Sequence, residues 1–240
     1  MKRIGHIATY PARLDTLPDM LASVVDQLDQ IYVVVNEFGR QEIEKLPKYD
    51  HVKYIRPIVD LKDTGKFYPR GRTADEFVFL MDDDIKFPAD YAETMINFLE
   101  ELPTRDAIVG LHGVTYSDLF DGVATSRFVS KFDKQLNESL LVNQLGTGCM
   151  VMLGDQIPPF EIMRDSQRFV DVRFARYCFE NDIVQVCMRR PLGWLTDMGP
   201  EESIFETYTR DNHDNHKSEI GIFGGYGKIN PKLALAVERM

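Results

Sequence analysis

Two hydrophobic periodicities alternate along the first part of the chain. Ile31–Phe38 (IYVVVNEF) is rich in β-branched residues, which is typical of a strand buried on both faces of a parallel sheet. Leu17–Leu28 instead spaces its leucines and valines three or four residues apart, which predicts an amphipathic helix. Similar runs predict the neighbouring elements: strands at Arg3–Thr9, Val52–Ile58 and Phe77–Met81, and a short helix around Glu42–Leu46.

Another helix is predicted after the fourth strand. Pro88 fits its first position, and a core-facing stripe follows at Tyr91, Met95, Phe98, Leu99 and Leu102. The alternation of strands and helices predicts right-handed βαβ units in a mostly parallel sheet. Ligands bind beyond the carboxyl ends of the strands in such sheets.

The second half of the chain has a less regular pattern. Strands are predicted at Ala107–Tyr116, Cys149–Leu153 and Ile183–Met188, and a helix at Arg168–Asp182. The last forty residues are rich in Gly, Asp, Asn and His and predict a loop with a short terminal helix. We therefore expect an α/β fold with a single domain over residues 1–240, its central sheet flanked by helices.

The charge of the chain limits the kinds of ligand that it is expected to bind. The chain carries 28 Lys and Arg against 38 Asp and Glu, a net charge of −10, which argues against general binding to nucleic acid. Within Arg164–Arg190, however, arginines outnumber acids. Either an anionic ligand docks near this segment, or the segment is a solvated surface.

Sequence features also bear on the compartment. No apolar run approaches the ~20 residues of a membrane-spanning helix, so no direct membrane insertion is expected. The N-terminus lacks the apolar region of a secretory signal. Three widely spaced cysteines (Cys149, Cys178 and Cys187) suit buried free thiols in a reducing cytoplasm.

An acidic triplet ends the fourth predicted strand, in FVFLMDDDIKFPADY. If the strand continues through it, Asp82 and Asp84 point one way and Asp83 the other. Alternatively, Asp84 already lies in the turn, from which it could reach a ligand. Clustered carboxylates are hard oxygen ligands that suit Mg²⁺ or Mn²⁺, with phosphate oxygens and water completing the shell. The alternative is an acidic turn that a following helix dipole stabilises.

Polar residues follow the other strands of the predicted sheet. Tyr10 and Arg13 come just after the first strand, where a nucleobase could stack, and Asn36 lies at the end of the second. Asp63 and Lys66 lie in DTGKFYPRG, which could line a diphosphate. Both segments could instead be ordinary surface turns.

Candidate groups in the second half are Thr147, Asp171 and neighbouring arginines. Thr147 lies between two glycines in QLGTGCM, where backbone can approach a ligand closely; a bulged strand is the alternative. Asp171 has Arg168 and Arg173 near it in sequence and is either a helix-capping acid or a carboxylate beside a transferred sugar. His213, in a His-x-x-His of a polar loop, is either solvated or a further metal ligand.

These segments together resemble a known family. YPAR, VVVNEF, DTGKF, FLMDDDIKFPADY, VGLHG, VNQLGTG and RFVDVRFARY are similar, in this order, to segments of the GT-A metal-dependent nucleotide-sugar glycosyltransferases of bacterial capsule synthesis. The resemblance covers nearly the whole chain and is strongest to the heparosan α-1,4-N-acetylglucosaminyltransferase (KfiA-type) group. It implies a nucleotide-binding half at 1–105 and an acceptor-side half at 106–240.

The resemblance also implies ligands and roles. The donor would be UDP-N-acetylglucosamine and the acceptor an anionic heparosan chain ending in glucuronate, joined with retention of configuration. The donor-binding residues implied are Tyr10, Arg13, Asn36, Asp63, Lys66, Asp82 and Asp83. Asp84 would bind Mn²⁺ or Mg²⁺, and Asp171 would lie near the anomeric carbon. The residues themselves, rather than the resemblance, suggest His213 as a further metal ligand and Thr147, Arg168 and Arg173 as the groups that bind the anionic acceptor.

Polymer synthesis implies a second activity. A separate glucuronosyltransferase chain is expected as partner, with peripheral association at the inner membrane through a capsule synthesis complex. Two alternatives stay open: a glycosyltransferase of another capsule with a different acceptor, and a non-catalytic nucleotide-sugar-binding subunit.

Overall fold

The structure is a computed structural model that describes residues 1–117, 127–199, 214–225 and 228. The strands of these residues are β1 (Lys2–Thr9), β2 (Gln30–Val35), β3 (Val52–Ile55), β4 (Glu76–Met81), β5 (Ile85–Lys86), β6 (Ala107–Gly110), β7 (Gly113–Tyr116), β8 (Arg127–Ser130), β9 (Leu140–Leu141), β10 (Gln144–Leu145), β11 (Cys149–Leu153), β12 (Val184–Cys187) and β13 (Thr196–Asp197). The α-helices are α1 (Leu17–Val24), α2 (Arg40–Glu44), α3 (Tyr91–Glu101), α4 (Phe160–Met163), α5 (Val170–Glu180) and α6 (Asp214–Phe223).

An eight-stranded sheet forms the centre, in the order β3-β2-β1-β4-β11-β6-β12-β9. The pairs β3–β2, β2–β1, β1–β4 and β6–β12 are parallel. β11 runs antiparallel to both of its neighbours, and β9 closes one edge antiparallel to β12. This mixed α/β architecture, with a mostly parallel central sheet flanked by helices, confirms the predicted fold class.

The core has two apolar layers, one on each face of the large sheet, and a smaller third cluster where β7, α5 and α6 meet. Ile7 of β1 packs with residues of α1 and α3, while Ile4, three positions earlier, packs on the opposite face with residues of α5. The alternation of strand side chains between faces explains this division. The three cysteines are free and buried, as predicted.

Besides shifts of a few residues at the ends of several elements, two predicted elements differ from the structure. Ala107–Tyr116 is not one strand: the chain bends at Leu111 and His112, and β7 leaves the large sheet to pair with β8 and β10. Gly113 permits the bend because a Cβ there would lie 2.7 Å from Cβ of Cys187. Pro88 does not open α3, which begins at Tyr91; the Tyr91 N–H donates to the Pro88 carbonyl (3.1 Å) in a preceding turn.

Candidate active site

The strand order reverses between β1 and β4. From β1 the chain builds β2 and β3 on one side and then returns to place β4 on the other. Loops that leave adjacent strands in opposite directions open a crevice beyond their carboxyl ends, which is where ligands bind in open α/β sheets. The loop after β1 holds Tyr10 and Arg13, and the loop after β4 holds Asp82–Asp84.

The acidic triplet lies outside the strand. β4 ends at Met81, and Asp83 and Asp84 are in a turn. Asp84 therefore lies in the turn, as the second of the two interpretations predicts, and the alternation of a strand does not apply. One guanidinium, that of Arg13, contacts both Asp84 (Nη2 to Oδ2, 2.8 Å) and Asp83 (Nε to Oδ1, 3.6 Å). Asp82 instead pairs with the ammonium group of Lys66.

Burial and mutual repulsion make the triplet costly to ionise. Burial raises the pKa of Asp83 to about 7, and the Asp84 and Asp82 charges add to the effect. Burial, then the Asp82 charge, raises the pKa of Asp84 to about 6, although Arg13 opposes the shift. Close carboxylates in a partly desolvated site behave in this way, and a bound cation would relieve the repulsion.

Lys66 lies on the floor of the crevice with 4% of its side chain exposed. Burial lowers the pKa of its ammonium group, but the carboxylates of Asp82, Asp171 and Asp63 together outweigh this and the net pKa is raised, so Lys66 stays charged. The 3₁₀ turn Lys62–Phe67 positions it, and the carbonyl of Lys66 is hydrogen-bonded to Nδ1 of buried His6 (2.9 Å).

A continuous hydrogen-bond network joins the two predicted halves of the site. Lys66 Nζ, which contacts Asp82, also donates to the Thr147 carbonyl (3.3 Å). The Thr147 N–H (2.9 Å) and hydroxyl (2.7 Å) both donate to Oδ1 of Asp171. The structure thus brings Lys66, Asp82, Thr147 and Asp171 together.

Gly148 is required by this arrangement. A Cβ at this position would lie 1.9 Å from Oδ2 of Asp82. The Asp82 N–H also donates to the Gly148 carbonyl (2.9 Å). Glycine just before β11 therefore lets the Asp82 carboxylate lie against the backbone that leads into the neighbouring strand.

Asn36 and Asp63 hold the walls of the crevice. Asn36 is buried; its amide donates to the Lys62 carbonyl (3.1 Å) and its Oδ1 accepts from the Leu61 N–H (3.0 Å). Asp63 accepts the Arg168 N–H through both carboxylate oxygens (3.0 and 2.9 Å), and burial raises the pKa of Asp63 to about 6. Arg168 has a φ of 72°, so this bond fixes a left-handed residue just before α5.

Arg173 lies on the other side of α5 and contacts a different element. Its Nη2 (2.6 Å) and Nε (2.7 Å) bind Oε1 of buried Glu219 in α6, and its Nη1 donates to the Ile162 carbonyl. The guanidinium of Arg190, in the same arginine-rich segment, is buried against backbone carbonyls, including those of Phe132 and Met188. The structure therefore does not bring Arg173 to the crevice, and its acceptor role stays a prediction.

Tyr10 and His213 complete the predicted residues. The Tyr10 ring lies beside Arg13, 5.7 Å from ring centroid to Cζ, so an aromatic face and a cation meet at one end of the crevice. His213 lies outside the described residues. Within those residues, no group of three or more His, Cys, Asp or Glu side chains is arranged to hold a metal ion.

Two residues at the site were missed as candidates. Asp197, in β13 opposite β5, contributes to the raised pKa of Asp84, and the next residue, Met198, donates its N–H to the Asp84 carbonyl (2.7 Å). His112 lies at the bend after β6, close enough for its pKa to respond to Asp171 and Asp82. VGLHG was the only sequence signal for His112, and Asp197 had none, because β13 pairs over a long sequence separation.

Comparison with solved structures identifies the fold. A structure of S. aureus TarS 1–349 in complex with UDP-GlcNAc superposes with a TM-score of 0.56 at 12% identity, covering 92% of this chain and 66% of that one. This mixed α/β fold is the GT-A fold. The chain therefore spans just under two thirds of this TarS chain. Another structure of S. aureus TarS 1–349 superposes with a TM-score of 0.47 at 13% identity, covering 75% of this chain and 55% of that one.

Other comparisons are more distant. The galactosyltransferase LgtC, in complex with donor and acceptor sugar analogs, covers 90% of this chain and 95% of its own, with a TM-score of 0.40 and 9% identity. No family model and no curated protein sequence matches this chain. No helix among the described residues is both long and apolar enough to cross a membrane.

Proposed function

We propose that this chain is a glycosyltransferase that uses Mn²⁺ or Mg²⁺ to transfer N-acetylglucosamine from UDP-GlcNAc. The observation that carries the proposal is the meeting of three carboxylates, Asp82–Asp84, with the cations of Arg13 and Lys66 at the β1–β4 crevice. Likeness in fold to a TarS structure holding UDP-GlcNAc supports the choice of donor.

The donor diphosphate would lie between Arg13 and Lys66. Both cations are paired with aspartates, and phosphate oxygens can replace a carboxylate as their partner because arginine and lysine bind both groups. The uracil would stack at Tyr10, where the aromatic face borders the crevice. Asn36 would support donor binding indirectly, because its side-chain amide is hydrogen-bonded to the backbone of Leu61 and Lys62 and so positions that segment.

The donor set fits a hard divalent cation. The side chains of Asp82 and Asp84 are 42% and 22% exposed, so their oxygens are reachable from the crevice. Magnesium and manganese are commonly held by one or two carboxylates together with substrate phosphates, which agrees with the lack of a larger ligand cluster in the described residues. When bound, the cation would neutralise the diphosphate as it leaves.

Asp171 and Thr147 would act at the anomeric carbon. Thr147 uses both its N–H and its hydroxyl on Oδ1 of Asp171, which fixes the carboxylate while no described residue donates a hydrogen bond to Oδ2. An ionised oxygen aimed at the sugar would stabilise the positive charge that develops as the donor bond lengthens. We propose a front-face route with retention of configuration.

The acceptor proposed is the glucuronate end of a heparosan-type polysaccharide. The resemblance supports it, together with the exposed side chain of Arg168 beside Asp63 and the entrance to α5. Arginine binds carboxylates through two parallel hydrogen bonds. A separate chain would add glucuronate, and this protein would reach the inner membrane through the resulting complex.

The test combines binding and transfer. Purified protein with Mn²⁺, UDP-GlcNAc and a glucuronate-terminated heparosan oligosaccharide should extend the oligosaccharide by one N-acetylhexosamine, read by mass spectrometry. Asp84→Asn should abolish Mn²⁺-dependent UDP binding in calorimetry yet keep its circular dichroism spectrum. Unchanged UDP affinity in Asp84→Asn would refute the metal assignment.

A panel of donors and acceptors separates the alternatives. Transfer from UDP-GlcNAc to a different glycan would keep the glycosyltransferase and reject the heparosan acceptor. Tight, Mn²⁺-dependent UDP-GlcNAc binding without UDP release, with or without acceptor, would instead identify a non-catalytic binding subunit.

A further inference from the structure

His112 lies at the carboxyl edge of the sheet, on the side away from the donor strands. β6 ends at Gly110, and β11 separates it from β4. The Gly146 N–H donates to the His112 carbonyl (2.8 Å), which places His112 against the segment that carries Thr147. A Cβ on residue 146 would lie 3.1 Å from Cβ of His112, so the absence of a side chain at Gly146 leaves room for the His112 side chain.

The imidazole lies near the reacting groups without being used by the protein. Of the described residues, none hydrogen-bonds to its ring nitrogens, and its closest ring partner is Phe132, at 6.3 Å between centroids. The side chain is partly exposed. An imidazole whose nitrogens no described residue uses is available to hydrogen-bond a ligand.

Burial and the neighbouring charges set the protonation state of the His112 imidazole. Burial lowers the pKa of His112, the Asp171 carboxylate opposes this, and the Arg127 and Arg190 charges lower the pKa further. The ring is therefore neutral near pH 7 and offers one donor and one acceptor nitrogen. That pair of roles matches a sugar hydroxyl, which both donates and accepts.

We propose that His112 is a substrate-contacting residue that binds a hydroxyl of the acceptor sugar at its reacting end, opposite Asp171. The inference rests on the proposed function. The acceptor is favoured over the donor because Arg13, which would bind the diphosphate, lies in the loop after β1, and β4 and β11 stand between β1 and β6. His112 then fixes which hydroxyl approaches the anomeric carbon.

The test uses two variants of His112, one that keeps the aromatic ring and one that keeps the hydrogen-bonding groups. His112→Phe keeps an aromatic ring to pack against Phe132 and loses the hydrogen bonds, whereas His112→Gln keeps a donor and an acceptor. We expect His112→Phe to raise the acceptor KM about tenfold, the loss of roughly one hydrogen bond, with the UDP-GlcNAc KM and the melting temperature little changed. His112→Gln should recover part of the loss. His51→Gln, near β3, is the control and should leave both KM values unchanged.

A binding measurement keeps the inference separate from the proposed function. In protein labelled with ¹³C-histidine, the His112 ring signal, assigned by its absence in His112→Gln, should shift on titration with the heparosan oligosaccharide. A shift without any transfer would refute the proposed transfer but support His112 as a glycan contact. Transfer with an unchanged acceptor KM in His112→Phe, or a ring signal that the oligosaccharide leaves in place, would overturn the inference.

Discussion

Arg13 Nη2 lies 2.8 Å from Asp84 Oδ2, and this ion pair bridges the crevice between β1 and β4. The two side chains are 13% and 22% exposed. Nε of Arg13 is also a buried donor without a hydrogen-bond partner among the described residues, 3.6 Å from Asp83. A single guanidinium thus neutralises carboxylates that would otherwise repel one another and an incoming diphosphate.

Removal of the Arg13 guanidinium should destabilise the protein in a pH-dependent manner. Asp83 and Asp84, with pKa values raised to about 7 and about 6, are mostly protonated at pH 5 and ionised at pH 8. Arg13→Gln should therefore lower the free energy of unfolding by about 1–3 kcal/mol at pH 8 and much less at pH 5. Urea denaturation at both pH values measures the difference. Arg40→Gln, at an exposed pair, is the control; an Arg13→Gln effect equal at both pH values would contradict the prediction.

Gly148→Ala tests the close approach of Asp82 to β11. The added methyl would lie 1.9 Å from the Asp82 carboxylate, so that side chain must leave its position beside Lys66. We expect UDP affinity to fall at least tenfold with retention of the fold. Gly221→Ala is the matched control, because no described residue beyond its own helix backbone and chain neighbours lies within 4 Å of its Cβ position. Equal UDP affinity in both variants, measured by calorimetry, would argue against a role for this contact.

Asp63 should make stability fall as pH rises. Its pKa is raised from 3.8 to about 6, so the folded state holds the proton more tightly than the unfolded state. This stabilisation is present below about pH 4 and is lost as pH passes 6. Asp63→Asn does not titrate, so its stability relative to wild type should rise by about 1–3 kcal/mol from pH 4 to pH 7.5. Denaturant titrations give this difference; Asp165→Asn, at a 74% exposed side chain, should show none.

The Arg173–Glu219 pair should stabilise the docking of α6 on α5. Glu219 is 6% exposed and the Arg173 guanidinium binds it at 2.6 Å. Arg173→Ala would leave the buried Glu219 carboxylate with only the longer contact to Arg176 (3.7 Å), so it should cost about 2–3 kcal/mol of unfolding free energy. Arg105→Ala, at an exposed pair with Asp155, is the control and should cost less than about 1 kcal/mol.

A double-mutant cycle distinguishes docking from acceptor binding by Arg173. If docking is its role, Arg173→Ala and Glu219→Gln should show coupling of about 1–3 kcal/mol in thermal or urea unfolding. If Arg173 also binds acceptor, Arg173→Ala should raise the acceptor KM far more than the donor KM. Equal effects on both KM values would remove it from the acceptor site.

The sequence by itself determined the succession of strands and helices in the first half and the location of the acidic triplet. Hydrophobic periodicity is a local property, so β1, β2 and β4 and the loops at their ends could be predicted from residues close in sequence. The carboxyl ends of parallel strands share one edge, which explains why the sequence alone could place Arg13 and Asp84 in one crevice.

Only the tertiary structure decided which side chains bind one another. Thr147 meets Asp171 across 24 positions, and Lys66 reaches Thr147 across 81. Arg173 pairs with Glu219 and does not reach the crevice, and the bend at His112 places the imidazole of that residue at the site. Such partners depend on long-range packing and on the cost of burying unpaired charge, and neither leaves a periodic mark in the sequence.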